Sequence, residues 1–131
     1  MFMLDTNIIS EVIRNPDGKA AEALLRAGQD AVCTSIVVAC ELRYGSRKKG
    51  SARLAGKVED FLSEIEVLPL DRPVDEAYAR LRCALEAAGT PIGHNDLLIA
   101  AHAAMVGATL VTDQGAEFQR IETLPVVNWM R

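Results

Sequence analysis

The chain is poor in the residues that build many protein sites. Its 131 residues include three cysteines and two histidines, and 5% are aromatic. Cys33, Cys40 and Cys83 are odd in number and have no Cys-x-x-Cys spacing. They form no disulfide framework, and since each stands in an apolar stretch we expect three buried, reduced thiols. Positive charge is not in excess either. The formal charge is -4, so no global field draws in nucleic acid, and a polyanion must be held by a local basic patch or by bound cations. No apolar run reaches transmembrane length, and the start lacks the basic flank and small-residue cleavage site of a signal peptide. A cytoplasmic protein is the expectation. Repeats, low-complexity segments and linkers are absent, so one domain, 1–131, is expected. A chain of this length buries about two-thirds of its unfolded surface, enough for a core.

What is present is aliphatic. Half of the residues are hydrophobic, and Ala, Val, Ile and Leu suit helices packed on a parallel sheet. The run Phe2-Met3-Leu4 stops at Asp5, and Asn7 to Arg14 follows with a helical pattern. Asn15-Pro16-Asp17-Gly18 is a turn. Ala20 to Ala27 is helical and ends near Gly28. Ala31 to Thr34 is a candidate second strand, and Ser35 opens a helix from Ile36 to about Lys48. Gly50 breaks it, and Ala52 to Ile65 carries Leu54, Val58, Phe61, Leu62 and Ile65 at helical spacing. Glu66 to Leu70 is a third strand candidate. A helix spans about Val74 to Ala88, and a loop runs from Gly89 to Gly93. Asn95 to Val106 is so apolar that it must be covered on several sides. Thr109 to Thr112 reads as a fourth strand, Ala116 to Arg120 as one helical turn and Pro125 to Trp129 as an edge strand. Strands alternating with helices imply a parallel sheet.

Most of the 18 acids have ordinary explanations. Glu59, Asp60, Glu64 and Glu66 have polar neighbours, and Asp75 and Glu76 start a helix, where the dipole favours negative charge. Four others stand apart. Asp5 ends the first strand, where it can cap the next helix or face the crevice in which open parallel sheets bind ligands. Glu41 lies in Ile36-Val37-Val38-Ala39-Cys40-Glu41-Leu42, beyond the first helical turn. It sits either on an exposed stripe near Arg47 or Lys48, or partly desolvated against the sheet, where a lone carboxylate costs several kcal/mol, of that order, unless paired. Asp96 begins a helix with no other acid, and Asp113 follows the fourth strand as Asp5 follows the first. In one twisted sheet these four can converge. Hard oxygen ligands without Cys or His support suit Mg²⁺ or Mn²⁺, which perform metal-assisted phosphoryl chemistry.

His94 borders the acidic loop, and His102 lies inside the apolar helix as a core or interface histidine. Arg43, Arg47, Lys48, Lys49, Arg53 and Lys57 fall in one helix–turn–helix. Arg43/Arg47 and Lys49/Arg53/Lys57 repeat at i+4, so each set shares a face. Such a face is either solvated or, close to the acids, a phosphate-backbone track.

Four stretches carry a family resemblance: Met3-Leu4-Asp5-Thr6-Asn7, the segment from Thr34 through Glu41 to Gly45, the segment from Ile92 through Asp96 to Ala103, and Leu110-Val111-Thr112-Asp113-Gln114-Gly115-Ala116-Glu117-Phe118. With the ending Val127-Asn128-Trp129 they cover essentially the whole chain. In this order they resemble the PIN-domain ribonucleases and, within them, the VapC toxins of bacterial toxin–antitoxin pairs. The resemblance implies an α/β fold, a PIN-like three-layer sandwich with a central parallel sheet of about four to five short strands flanked by helices. It implies a Mg²⁺- or Mn²⁺-dependent endoribonuclease that cleaves transfer RNA or a ribosomal loop. Asp5, Glu41 and Asp96 fall on the family's acidic metal-site positions, Glu41 as a direct ligand or behind one, and Thr6 falls on a supporting hydroxyl position. Two departures stand out. Asp113 is one place after Thr112 and Gln114 holds the next, so either can supply the fourth position, and Asp113 ranks below the other three acids. Ala116 replaces an Arg common in relatives. The resemblance further implies a VapB-like antitoxin whose Arg or Lys enters the acidic pocket, a homodimer through the exposed faces of the basic helix pair and the Val74–Ala88 helix, and a larger complex with antitoxin on operator DNA.

Two readings from other classes compete. A PIN scaffold could bind RNA or antitoxin without cutting, though three acids at the expected positions argue against it. A phosphatase using Asp5 as nucleophile needs a second Asp two places on, and Asn7 stands there.

Overall fold

The computed structural model describes Met1–Arg131. Five short parallel strands form one sheet in the order β3-β2-β1-β4-β5. They are β1 (Phe2–Leu4), β2 (Val32–Ser35), β3 (Glu66–Leu68), β4 (Thr109–Val111) and β5 (Val126–Val127). Around them run α1 (Thr6–Arg14), α2 (Lys19–Ala27), α3 (Ile36–Lys49), α4 (Ala52–Glu64), α5 (Val74–Ala87), α6 (His94–Met105) and α7 (Gly115–Phe118). A 3₁₀ turn over Gln29–Ala31, not foreseen in the sequence, leads into β2. Helix α6 begins at His94, one residue before the expected Asn95.

The central strand is β1, with Met3 and Leu4 fully buried. It pairs Leu4 with Thr34 of β2 on one side and with Val111 of β4 on the other. The register brings three strand ends to one level, so residues just past Leu4 and Val111 become neighbours. Thr34 Oγ1 donates to the Leu4 carbonyl at 2.7 Å and ties β2 to that level. The core is aliphatic, with Ile8, Ile9, Val38, Ile99, Leu110 and the single large ring Phe118 fully buried. Removing such a side chain from water contributes roughly 1.5–3 kcal/mol.

Helix starts match their local chemistry. Ser35 caps α3, its Oγ accepting from Val37 N at 3.1 Å. Ser51 caps α4 by accepting from Leu54 N. Gly50, between these helices, adopts φ 66°, a left-handed geometry that glycine takes without steric cost. As expected for so apolar a helix, α6 buries Leu97 and the run Ile99–Ala103.

The thiol expectation holds for Cys33 alone, which is buried and whose pKa is pushed up to about 11 by burial. Cys40 and Cys83 are exposed. The reason is helical phase: α3 buries Val37, Val38, Ala39 and Leu42, which leaves Cys40 outward, and α5 buries Val74, Ala77 and Leu85, which leaves Cys83 outward.

Candidate active site

The site lies at the C-terminal crest of β1 and β4. Asp5 is the first residue past β1 and caps α1, its Oδ1 accepting from Thr6 N at 2.8 Å. Its other oxygen accepts from Thr112 Oγ1 at 2.7 Å. Thr112 directly follows β4, and its hydroxyl also accepts from Gln114 N at 3.0 Å. Asp5 is thus the cap its sequence suggests, and it also lines the cavity at the sheet's crest. It is 3% exposed, and burial raises its pKa more than its two hydrogen bonds lower it, with Glu41 adding to the rise.

Glu41 reaches the same place from α3. It is partly buried and takes no partner from Arg47 or Lys48. Instead Thr6 Oγ1 donates to its Oε1 at 2.6 Å. Thr6 therefore links α1 to α3, which is the ordering contact expected of that hydroxyl. Asp96 sits in the first turn of α6. Its pKa is pushed up to about 6, first by burial and then by the charges of Asp5, Glu117 and Glu41. Burial is the larger part of this shift, and the remainder comes from the acids gathered around Asp96.

Asp5, Thr6, Glu41, Asp96, Asp113 and Gln114 line one cavity of about 500 Å³. Asp113 is exposed at its rim. Its Oδ1 accepts from Asn128 Nδ2 at 3.0 Å, and its backbone N–H donates to Asn7 Oδ1 at 3.3 Å. Asp113 is thereby turned toward the β5 side, apart from the closer set of Asp5, Glu41 and Asp96.

Glu117 was not singled out in the sequence. It stands on α7, lies close enough to Asp96 to share a proton with it, and contributes to the raised pKa there. A signal was available: an acid immediately before the fully buried Phe118, on the first turn after β4. The histidines stay apart. His94 is exposed and does not line the cavity. His102 is buried, with Nδ1 2.8 Å from Ser35 Oγ, so the core role expected for it is the one it has. Burial lowers its pKa, with Asp71 opposing.

No three His, Cys, Asp or Glu side chains close on a common point as a finished cation cage. The donor set is nonetheless all oxygen, and its members repel one another. That is the chemistry a hard divalent cation relieves.

A parallel sheet with an acid-lined cavity at its carboxyl crest defines an open α/β protein with its ligand site at the strand ends. Comparison with known proteins narrows this class. The PIN domain model matches residues 2–124. The ribonuclease VapC2 of Rickettsia felis is 39% identical over 131 residues, covering 98% of both chains. The protein of Shigella flexneri named tRNA(fMet)-specific endonuclease VapC is 35% identical over 129 residues, with 98% of this chain and 97% of that one covered. The crystal structure of VapBC2 from Rickettsia felis bound to a DNA fragment from its promoter matches with TM-score 0.89 at 36% identity, covering 98% of each chain. The chain belongs to the PIN-domain family, among the VapC ribonucleases.

Proposed function

We propose that the chain is a VapC-type endoribonuclease toxin whose Asp5, Glu41 and Asp96 would hold Mg²⁺ or Mn²⁺, with Asp113 or Gln114 at the fourth position. The observation that carries this reading is the gathering of four carboxylates, Asp5, Glu41, Asp96 and Asp113, from separate parts of the chain around one cavity. Structural acids do not collect in this way without a cation or cationic group to offset them. When bound, the cation would acidify a water and offset charge on the phosphoryl oxygens.

The chain's own residues supply orientation. Thr112 and the Thr6 amide fix the two Asp5 oxygens, and the Thr6 hydroxyl fixes Glu41. Asp96 enters the same cavity from the first turn of α6. The name of the Shigella relative makes transfer RNA the first substrate to try, with a ribosomal loop second. The VapBC complexes among the solved relatives support a VapB-like antitoxin and an operator-bound assembly for this chain, and we add a homodimer as part of the same proposal. No helix is long and apolar enough to cross a membrane; a cytoplasmic location is proposed because the RNA substrate of this reading lies there.

The test is cleavage of total bacterial RNA by the pure protein with Mg²⁺ or Mn²⁺, with EDTA, and with Asp5→Asn in parallel. Discrete cuts should appear, vanish in EDTA and fall by on the order of a hundredfold or more in the variant. Sequencing the new ends names the target. An intact RNA pool under every metal would leave a non-cleaving RNA- or antitoxin-binding module.

A further inference from the structure

The fold divides the six basic residues of the helix pair. Arg43 is engaged with Glu59, Nε to Oε2 at 2.8 Å and Nη2 to Oε1 at 2.9 Å. Lys48 lies over the exposed Tyr44 ring on the outer face. Lys49, Arg53 and Lys57 instead line a groove of about 600 Å³ between α1, α3 and α4, at whose inner end Arg14 is paired with Glu11. The groove has an apolar floor that includes the buried Leu42 and Val58. Its inner end is made of Thr6, Ser10, Arg14 and Glu41, which also line the acidic cavity. Groove and cavity are therefore one continuous trough, cationic at the far end and acidic at the near end. The opposite flank, along β5 and α7, has a single cation, Arg131, set against Asp113 and Glu117.

We infer that this groove is a one-sided track for single-stranded RNA, holding the phosphates that leave the cleavage site past α1 and α4. The inference rests on the endoribonuclease reading and extends it to the flank of the substrate. The chain is acidic overall, so a local row of cations decides where a polyanion can lie, and Lys49, Arg53 and Lys57 form such a row with no carboxylate paired to them. A cationic rim over an apolar floor fits a strand whose bases are unpaired, since a duplex turns its bases inward. No aromatic ring lines the groove, so grip comes from phosphates and not from stacking. Binding there is tolerant of sequence and steep in salt.

The test reads binding alone. Fluorescence anisotropy of a short labelled oligouridylate is measured in EDTA across a salt series, so no turnover enters. Arg53→Gln/Lys57→Gln is compared with the charge-matched outer-face double Arg47→Gln/Lys48→Gln and with Arg131→Gln. All five side chains except Arg131 lie on exposed helix surface, and thermal melts verify that each variant is folded. The groove double should weaken binding on the order of tenfold at about 0.15 M salt, and the slope of log affinity on log salt should shrink by about 1.4, two phosphates at ~0.7 each. The outer-face double and Arg131→Gln should leave affinity and slope at wild-type values. Equal losses in both doubles, or unchanged binding in the groove double, overturn the track. A groove double that keeps RNA but no longer retains the antitoxin also overturns it, since the groove is then a protein dock. A wild-type chain that binds along the track yet leaves RNA intact with Mg²⁺ or Mn²⁺ counts against the endoribonuclease and leaves the track standing.

Discussion

At the residue scale, Asp5 and Asp96 are both acids with raised pKa, held in different ways. Asp5 has two neutral donors, and Asp96 has acidic neighbours. Removing a donor from Asp5 therefore raises its pKa further. Thr112 is fully buried, and Thr112→Val keeps its shape. We expect this change to cost about 1–3 kcal/mol and to move the acid limb of the RNA-cleavage profile to higher pH, as checked by urea unfolding and pH–rate curves. Asp96 supplies a stability test. Its native pKa of about 6 lies above the ordinary 3.8, so the folded chain binds more protons than the unfolded chain between those values. Stability then falls as pH rises through that window, and the whole penalty is present at pH 7. Asp96→Asn removes it. In EDTA the variant should melt higher than wild type near pH 7, with a flatter profile between about pH 4 and 6, while cleavage is lost. A variant that melts lower than wild type at neutral pH would mean that Asp96 is a structural cap and not a strained site acid.

At the scale of elements, the acids are held by helices whose starts are tied together. Ser35 caps α3, which carries Glu41, and contacts His102 of α6, which carries Asp96. Ser35→Ala removes the cap and leaves the buried imidazole without its partner, which should destabilise by about 1–3 kcal/mol, read from denaturant midpoints. His102→Asn should retain more stability than His102→Leu because its amide can still reach Ser35. The elements themselves were largely legible in the sequence. Apolar runs closed by acids, Ser caps and glycine stops placed every helix but the 3₁₀ turn, and the strand candidates came out two residues too long at β3 and three at β5. Those extra residues are apolar apart from Asn128, but their strands have no further partner to pair with at the sheet's edges.

At the scale of the whole molecule, charge is sorted along one trough. The same acids that would hold a cation would receive an antitoxin Arg or Lys. Asp5→Asn/Asp96→Asn should therefore weaken the complex with the cognate antitoxin, seen as faster dissociation in surface-binding kinetics, because a buried cation on the partner would lose its countercharges. Wild-type dissociation rates in this double would show that the antitoxin blocks the trough without entering the acid pocket.

The sequence by itself determined the order of elements, the parallel class of sheet and the candidacy of Asp5, Glu41, Asp96 and Asp113, because capping, helical period and the arrest of an apolar run at an acid are local properties. Only the tertiary structure decided which of those acids meet, that Asp113 turns to Asn128, that Glu117 joins Asp96, that Cys40 and Cys83 face out, and that Lys49, Arg53 and Lys57 part company with Arg43. Each of these depends on strand order, register and helix phase. Those are set by contacts between residues far apart in the chain, and Thr112 reaching Asp5 is one such contact.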